Sequence, residues 1–259
     1  MNQSLTLVKG TSGTGKGCRV SQLMSFLVMK GYDFEEVRHD FLNHSGTKMR
    51  NNIFGYYFKQ LNILFAGRWI KPQKATGLFS WYSLDSLHSD IGGKGTNSWM
   101  SDHNDKHVIG EGNPLMCGPG KRPIEIEKVS GFDNMFLSYY LFDQEDPESY
   151  LHRIMMRTGK HPRTMGAFTA NKGFASEHRR SCEELSELTN GGKSLVNHHK
   201  YDAPIWQFGL DYLVFIGQYE LAEEFEDWSQ SNTTLRDKEM GNSQLLIDVK
   251  TKMRGSIHV

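Results

Sequence analysis

The chain has 259 residues, of which 37% are hydrophobic, so it can bury a sizeable core and is globular rather than disordered. Its 30 Lys and Arg residues balance 30 Asp and Glu residues, so the formal net charge is zero. A protein that mainly coats nucleic acid carries a basic excess, so this balance argues against a pure DNA-binding module. No run approaches the roughly 18 apolar residues of a membrane span, and the three scattered cysteines favour a reduced, cytoplasmic setting.

The amino-terminal pattern predicts a strand, a glycine loop and a helix. Leu5-Thr6-Leu7-Val8 is a short apolar and β-branched run that leads into Gly10, as a buried first strand would. Apolar residues then recur at helical spacing from Val20 to Val28, and Lys30-Gly31 supplies a stop. The polar region 33–55 is interpreted as loops, with room for one helix.

Alternating strands and helices are predicted for the rest of the chain. Strands are expected at 63–66, at 107–109, at 135–142 and from Leu195-Val196 onward. Helices are expected at 85–100, with a break at Gly92-Gly93, and from Asp146-Pro147 to near Gly159. Two more helices are expected at 174–188 and at 212–228. This alternation predicts a single α/β domain over residues 1–228, with a mostly parallel sheet covered by helices on both faces. Residues 229–259 form a polar tail for which no element is predicted.

The most specific motif is a phosphate-binding loop over residues 10–16, followed by Gly17 and Cys18. Its residues are Gly10, Thr11, Ser12, Gly13, Thr14, Gly15 and Lys16, which have the G-x-x-x-x-G-K spacing. The glycines allow several backbone N–H groups to point at one anion, and the helix that follows adds its positive dipole end. Lys16 would reach the β- and γ-phosphates of ATP and neutralise charge during transfer. Because the loop lies between a predicted strand and a predicted helix, nucleotide binding is favoured over a merely structural turn.

Gly17 stands where a Ser or Thr that helps to hold Mg²⁺ is usual. One interpretation is a degenerate loop that only turns the chain. The other is the G-K-G-T variant of the adenylate kinases, which the sequence resembles at Gly13, Gly15, Lys16 and Gly17, with Cys18 in place of Thr. That resemblance implies Mg²⁺ held largely through water and phosphate.

Two carboxylates are candidates for the chemistry of a kinase, which needs a base near the acceptor hydroxyl. Glu111 follows the predicted strand at 107–109, and ligands of such sheets bind beyond the carboxyl ends of the strands. Glu111 could therefore hold a magnesium-bound water or accept a proton; the alternative is a solvated loop acid. Asp85 could be the general base or simply a helix cap.

Positive charge and an aromatic ring complete the candidate site. Arg68 and Trp69 follow the strand at 63–66 and Gly67, so they could bind and stack on an acceptor, although a structural role for Trp69 is equally compatible. Arg153 and Arg157 are four residues apart and share a helix face. They predict an arginine-bearing lid over about residues 146–173 that closes on ATP; the alternative is an ordinary basic helix face.

These segments together resemble the small P-loop kinases of bacteriophages, particularly the 5-hydroxymethyluracil DNA kinases. Four segments carry the resemblance. The first two are the opening loop, Lys9 to Lys16, and the segment Leu64-Phe65-Ala66-Gly67-Arg68-Trp69 with Asp85 downstream. The other two are the strand Val108-Ile109-Gly110-Glu111-Gly112 and the arginine helix Tyr150-Leu151-His152-Arg153-Ile154 through Arg157. It implies a P-loop kinase fold, ATP and Mg²⁺ as cofactors, and phosphorylation of the hydroxymethyl group of 5-hydroxymethyluracil in DNA. The setting would then be the host cytoplasm.

Three alternatives stay open on the residues alone. A nucleoside or nucleoside monophosphate kinase would share the loop and lid but act on a free small molecule, and the balanced charge favours it. A P-loop ATPase or switch protein would hydrolyse ATP without a phosphoryl acceptor. An inactive relative would keep the loop only for folding.

Overall fold

The computed structural model describes residues 3–10, 14–43, 45–69, 84–112, 131–141, 192–200 and 202–231. Seven strands lie in these ranges: β1 (Ser4–Gly10), β2 (Glu35–Leu42), β3 (Met49–Phe58), β4 (Ile63–Ala66), β5 (His107–Glu111), β6 (Asn134–Leu141) and β7 (Ser194–Lys200). The α-helices in the same ranges are α1 (Lys16–Met29), α2 (Leu84–Ser101), α3 (Gln207–Phe215) and α4 (Tyr219–Ser231). A short 3-10 turn, Lys59–Leu61, precedes β4.

The described strands form one sheet in the order β2-β3-β4-β5-β1-β6-β7. Strands β4, β5, β1, β6 and β7 are mutually parallel, whereas β2 and β3 add an antiparallel hairpin beside β4. Parallel strands all end at one side of the sheet, here called the carboxyl edge. This edge carries Gly10 of β1 and Glu111 of β5, so the strand order brings the predicted phosphate loop and the predicted carboxylate together.

Helices cover both faces of the sheet, because the central strands are apolar on both sides. Leu5 and Leu7 of β1 pack on the face of α2, with Trp99 and Met100 of that helix. Val8 points to the opposite face, where α1, α3 and α4 cover the sheet. The predicted α/β class with a mostly parallel sheet and helices on both faces is therefore confirmed.

Most predicted elements in the described ranges are confirmed, and α2 even contains the expected break. Gly92 has φ 70° and ψ 177°, which is outside the helical region. The interpretation of residues 33–55 as loops is wrong, since they contain β2 and much of β3. The many charged residues of this region led to the loop interpretation. They belong to a hairpin at the edge of the sheet, where charged side chains discourage further strand pairing.

The single helix predicted at 212–228 is also wrong. The structure has α3 and α4, separated at Gly217, whose φ of 79° ends a helix readily because glycine has no Cβ. Helix α4 continues to Ser231, so the predicted tail from 229 begins within it. The lid at 146–173, the helix expected up to Gly159 and the helix at 174–188 lie outside the described residues. None of the described helices is long and apolar enough to cross a membrane.

Candidate functional site

The strand-to-helix turn after β1 requires glycine at two positions. Gly10 has φ 145° and pairs with Tyr140 of β6. A Cβ on Gly10 would lie 2.0 Å from the Tyr140 carbonyl oxygen, so a larger side chain cannot be accommodated there. Gly15 has φ 78° and immediately precedes α1. Both positive φ values favour glycine, and Thr14 next to Gly15 is fully buried.

Helix α1 begins at Lys16, which places its positive dipole end at the carboxyl edge beside β1. The first intrahelical hydrogen bond runs from the Arg19 amide to the Gly15 carbonyl oxygen, at 3.1 Å. Gly17 is buried in the first turn, and Cys18 beside it is partly exposed. Gly17 stands at the position of the usual Mg²⁺-binding hydroxyl and has no side chain, and the thiol of the neighbouring Cys18 is a soft ligand that suits Mg²⁺ poorly.

Lys16 and Glu111 face each other at this edge. The Lys16 Nζ lies 3.9 Å from Glu111 Oε1, and both side chains are more than nine-tenths buried. Glu111 is the last residue of β5, and it is aligned with Val8 in the neighbouring strand β1. It is therefore not a solvated loop acid. The two oppositely charged groups are held together where the end of β5 meets the start of α1.

Lys9 is a second buried lysine at the same edge, and sequence reasoning did not select it. Its Nζ donates a hydrogen bond of 2.6 Å to the carbonyl oxygen of Gly112, the residue after β5. Lys9 thus ties the end of β1 to the segment that follows Glu111. The signal in the sequence was a lysine at the end of the apolar run Leu5-Thr6-Leu7-Val8, because a charge in a buried strand needs partners.

Arg19 joins α1 to the connection between β7 and α3, and the sequence did not indicate this role. Its guanidinium donates to the carbonyl oxygens of Ala203 (2.9 Å) and Pro204, in the connection between β7 and α3. It also lies over the Tyr140 ring, 3.9 Å from the centroid. Burial raises the pKa of the Tyr140 phenol to about 12, so that ring stays neutral. The clue in the sequence was that Arg19 shares a helix face with buried Leu23.

Arg68 and Trp69 lie just past β4, also at the carboxyl edge, but in different surroundings. Trp69 is fully buried, and its indole N–H donates to the Ala66 carbonyl oxygen at 2.9 Å. This placement agrees with the structural alternative for the Trp. The Arg68 guanidinium is partly exposed and lies 3.3 Å from Asp90 Oδ2 of α2.

Asp85 belongs to the first turn of α2, and the structure places that turn close to the end of β4. The Ser86 hydroxyl accepts a 3.2 Å hydrogen bond from the Arg68 amide. Helix α2 begins at Leu84, so Asp85 is within the helix and is not its cap. The backbone therefore brings Asp85 to the same edge of the sheet as Lys16 and Glu111.

A cavity of about 260 Å³ lies between the β2–β3 hairpin and α2. Its lining is Phe41, Asn43, Ser45, Arg50, Ser89 and Asp90. Asp90 also accepts a 2.8 Å hydrogen bond from the Asn52 side chain, so one carboxylate joins the hairpin, the helix and Arg68.

Glu111 is the carboxylate next to Lys16 that could hold a magnesium ion, directly or through water. Among the described residues, no group of three or more His, Cys, Asp or Glu side chains could hold a metal. Mg²⁺ in phosphoryl-transfer enzymes commonly takes one or two carboxylates and keeps several waters. The Glu111 carboxylate, which is the predicted metal ligand, fits that pattern.

The remaining predicted site residues fall outside the described ranges: Thr11, Ser12, Gly13, Arg153 and Arg157. Within the described part of the chain, the fold brings together Gly10, Thr14, Gly15, Lys16, Gly17, Cys18 and Glu111 at the ends of β1 and β5. Arg68, Trp69 and the first turn of α2 lie further along the same edge, beyond β4.

Two comparisons with known proteins agree with each other. Residues 1–206 match the family described as 5-hmdU DNA kinase 2. The chain is also 28% identical over 237 residues to 5-hmdU DNA kinase 2 of Salmonella phage ViI, an alignment that covers 79% of this chain and 73% of the phage protein. The family match spans β1 to the Pro204 region, and it therefore includes every site residue discussed above. The chain belongs to the 5-hmdU DNA kinase 2 family, and it is a kinase.

Proposed function

We propose that this kinase transfers the γ-phosphate of ATP to the hydroxymethyl oxygen of 5-hydroxymethyluracil in DNA. The observation that carries the proposal is the buried Lys16–Glu111 pair at the start of α1, directly after a glycine turn. Membership of the 5-hmdU DNA kinase 2 family supports this choice of acceptor. The same placement supports a P-loop kinase fold, with residues 10–18 around the phosphates of ATP.

Binding of the triphosphate would use backbone N–H groups of the loop and the amino end of α1. Lys16 would turn from Glu111 toward the β- and γ-phosphate oxygens, where its charge is needed. Glu111 would be left at the same position to hold a magnesium-bound water. When bound, Mg²⁺ would neutralise phosphate charge and align the oxygens of the transferred group.

The transfer is an in-line displacement at the γ-phosphorus. A bond forms from the acceptor oxygen to phosphorus, and the bond from phosphorus to the β–γ bridging oxygen breaks, which releases ADP. The hydroxyl proton passes to a carboxylate, either Asp85 or Glu111. Arg153 and Arg157 are proposed to stabilise the transferring group from a lid. Arg68 is proposed to contact the acceptor, and Trp69 to support that contact from the core.

We propose that the target nucleotide leaves the stack or is single-stranded, because enzymes that carry out chemistry on a base commonly bind it extruded in the active site. The extruded base would enter at the carboxyl edge, near Arg68 and the first turn of α2. The hydroxymethyl group, which distinguishes the base from thymine, would then point toward the γ-phosphate.

The test is transfer of labelled γ-phosphate from ATP to a panel of acceptors. The panel contains DNA with 5-hydroxymethyluracil, the same DNA with thymine, free 5-hydroxymethyldeoxyuridine and nucleoside monophosphates. Label only in the hydroxymethylated DNA is the expected result. Label in a free nucleoside or nucleotide would replace the proposal by small-molecule kinase activity, which the zero formal net charge favours. Release of free phosphate without any labelled acceptor would indicate an ATPase or switch.

A further inference from the structure

The β2–β3 hairpin extends past the rest of the sheet at the carboxyl edge. Strand β2 runs in the same direction as the parallel strands, so the turn after Leu42 lies at the edge that carries Lys16 and Glu111. The last ladder pair of β3 with β4 is Gly55 with Ala66, and Met49 is six residues beyond it. At about 3.3 Å per residue this is roughly 20 Å of strand. Residues 37–42 and 49–54 are called the projecting ribbon below.

The turn that closes the projecting ribbon is internally fixed. The Asn43 amide donates to the Lys48 carbonyl oxygen at 3.0 Å, and the Asn43 side-chain oxygen accepts from the amides of Thr47 (2.9 Å) and Lys48 (3.1 Å). The base of the ribbon is fixed as well, because Asn52 binds Asp90 of α2. The ribbon is therefore a built arm with a defined direction.

The end of the projecting ribbon combines free positive charge with exposed apolar side chains. Lys48 and Arg50 are exposed, and neither forms an ion pair with any residue in the described ranges. Leu42 and Met49 face each other across the two strands and are 56% and 58% exposed. Either kind of side chain is ordinary on a surface, but their combination at the end of an arm beside the carboxyl edge points to a partner.

We propose that the projecting ribbon is the arm that holds the DNA next to the reacting base, an inference that rests on the proposed function. Phosphates complement Lys48 and Arg50, and contacts of this kind fix the register of a protein on DNA. Leu42 and Met49 contact sugar and base faces, as apolar side chains do where a base has left the stack. A two-stranded ribbon has the cross-section that a DNA groove accepts. The neutral net charge of the chain is compatible with this arrangement because the cations are local.

The experiment compares the full-length enzyme with three double variants, using a duplex that contains a single 5-hydroxymethyluracil. Lys48→Ala with Arg50→Ala removes the two cations at the end of the ribbon, and Arg38, which pairs with Glu36, is left in place. Lys59→Ala with Lys193→Ala is the matched control, since these lysines are exposed at the opposite edge of the sheet. Leu42→Ser with Met49→Ser removes the apolar pair. For each protein, kcat and KM for DNA are measured from about 50 to 200 mM salt, together with affinity for ATP and the melting temperature.

Loss of the two cations is expected to raise KM for DNA on the order of tenfold and to lower the slope of log KM against log salt by about 1.8. Affinity for ATP and kcat stay the same, and the control matches the wild type. Loss of the apolar pair raises KM without a change in the salt slope, because no counterion is released by an apolar contact.

Three results would overturn the proposal. If wild type phosphorylates the DNA, and both KM and the salt slope are unchanged without Lys48 and Arg50, the ribbon proposal fails alone. If wild type phosphorylates no DNA, the proposed function and the ribbon proposal fail together. If light scattering shows that Leu42→Ser with Met49→Ser converts a dimer to a monomer, the ribbon binds a second copy of the chain instead of DNA.

Discussion

The Lys16 ammonium lies 3.9 Å from the Glu111 carboxylate, across the junction of α1 and the end of β5. Both side chains are largely buried, so each charge depends on the surrounding groups for compensation. A lysine that is already desolvated and positioned needs little rearrangement before it engages a triphosphate. Under the proposed function, Lys16 would rest against Glu111 until a triphosphate binds.

Removal of Lys16 should abolish phosphoryl transfer while the protein stays folded. Lys16→Ala deletes the charge that stabilises the transferring group, and kcat is expected to fall by at least about 10³. Lys16→Arg keeps the charge but changes its geometry, so it should retain only a small part of the activity. Activity is measured with labelled ATP and folding by circular dichroism. Full activity in a folded Lys16→Ala protein would remove the phosphate-loop assignment.

Neutral replacement of the two carboxylates should separate their roles. Glu111→Gln and Asp85→Asn keep nearly the same shape, and one of them is expected to lose far more kcat than the other, by about 10² or more. If Glu111 holds the magnesium-bound water, its variant should also need more Mg²⁺ for half-maximal rate, whereas Asp85→Asn should not. Equal and negligible losses in both variants would place both carboxylates outside the site.

Gly10→Ala should destabilise the protein strongly because the new Cβ would meet the Tyr140 carbonyl oxygen at 2.0 Å. Separation of β1 from β6 would be required, so we expect a loss above about 3 kcal/mol. Gly217→Ala is the matched control: φ is 79°, but nothing lies within 4 Å of the added atom, and about 1 kcal/mol is expected. Urea unfolding measures both. Similar losses in the two variants would contradict the close approach at Gly10.

Folding stability should decrease as the pH falls, and His107 should contribute to that decrease. Burial lowers the pKa of His107, which accepts or donates a 2.9 Å hydrogen bond with the Ser4 hydroxyl. The unfolded chain takes up this proton near pH 6.5, whereas the folded chain does so only at lower pH, so acid favours unfolding. Burial lowers the pKa of His103 in the same direction.

The check is the free energy of unfolding at about pH 7.5 and pH 5.5, on either side of the ordinary histidine pKa. His107→Asn keeps a polar atom near Ser4 but does not titrate, so its stability should depend less on pH than that of the wild type. The same pH dependence in both proteins would show that His107 is protonated equally in the folded and unfolded chains.

Local signals determined much of this protein in advance. The phosphate-loop spacing, the first strand and helix, and the break near Gly92 could be read from contiguous residues, because backbone dihedral demands and helical periodicity act over a few positions. The parallel α/β class followed from the alternation of such segments. The recognised segments also indicated the kinase family that the comparisons confirm.

Tertiary structure alone decided which residues meet. The hairpin of β2 and β3 is stabilised by pairing with β4 and by contact with α2. Because these contacts come from other parts of the chain, the charged residues of the hairpin alone did not indicate two strands. Three contacts at the carboxyl edge join segments that are remote in sequence. They are the ion pair of Lys16 with Glu111, the hydrogen bond from Lys9 to Gly112, and the hydrogen bonds from Arg19 to the connection after β7. Such contacts depend on strand order and register, which are properties of the whole sheet, and the sequence around each residue does not contain them.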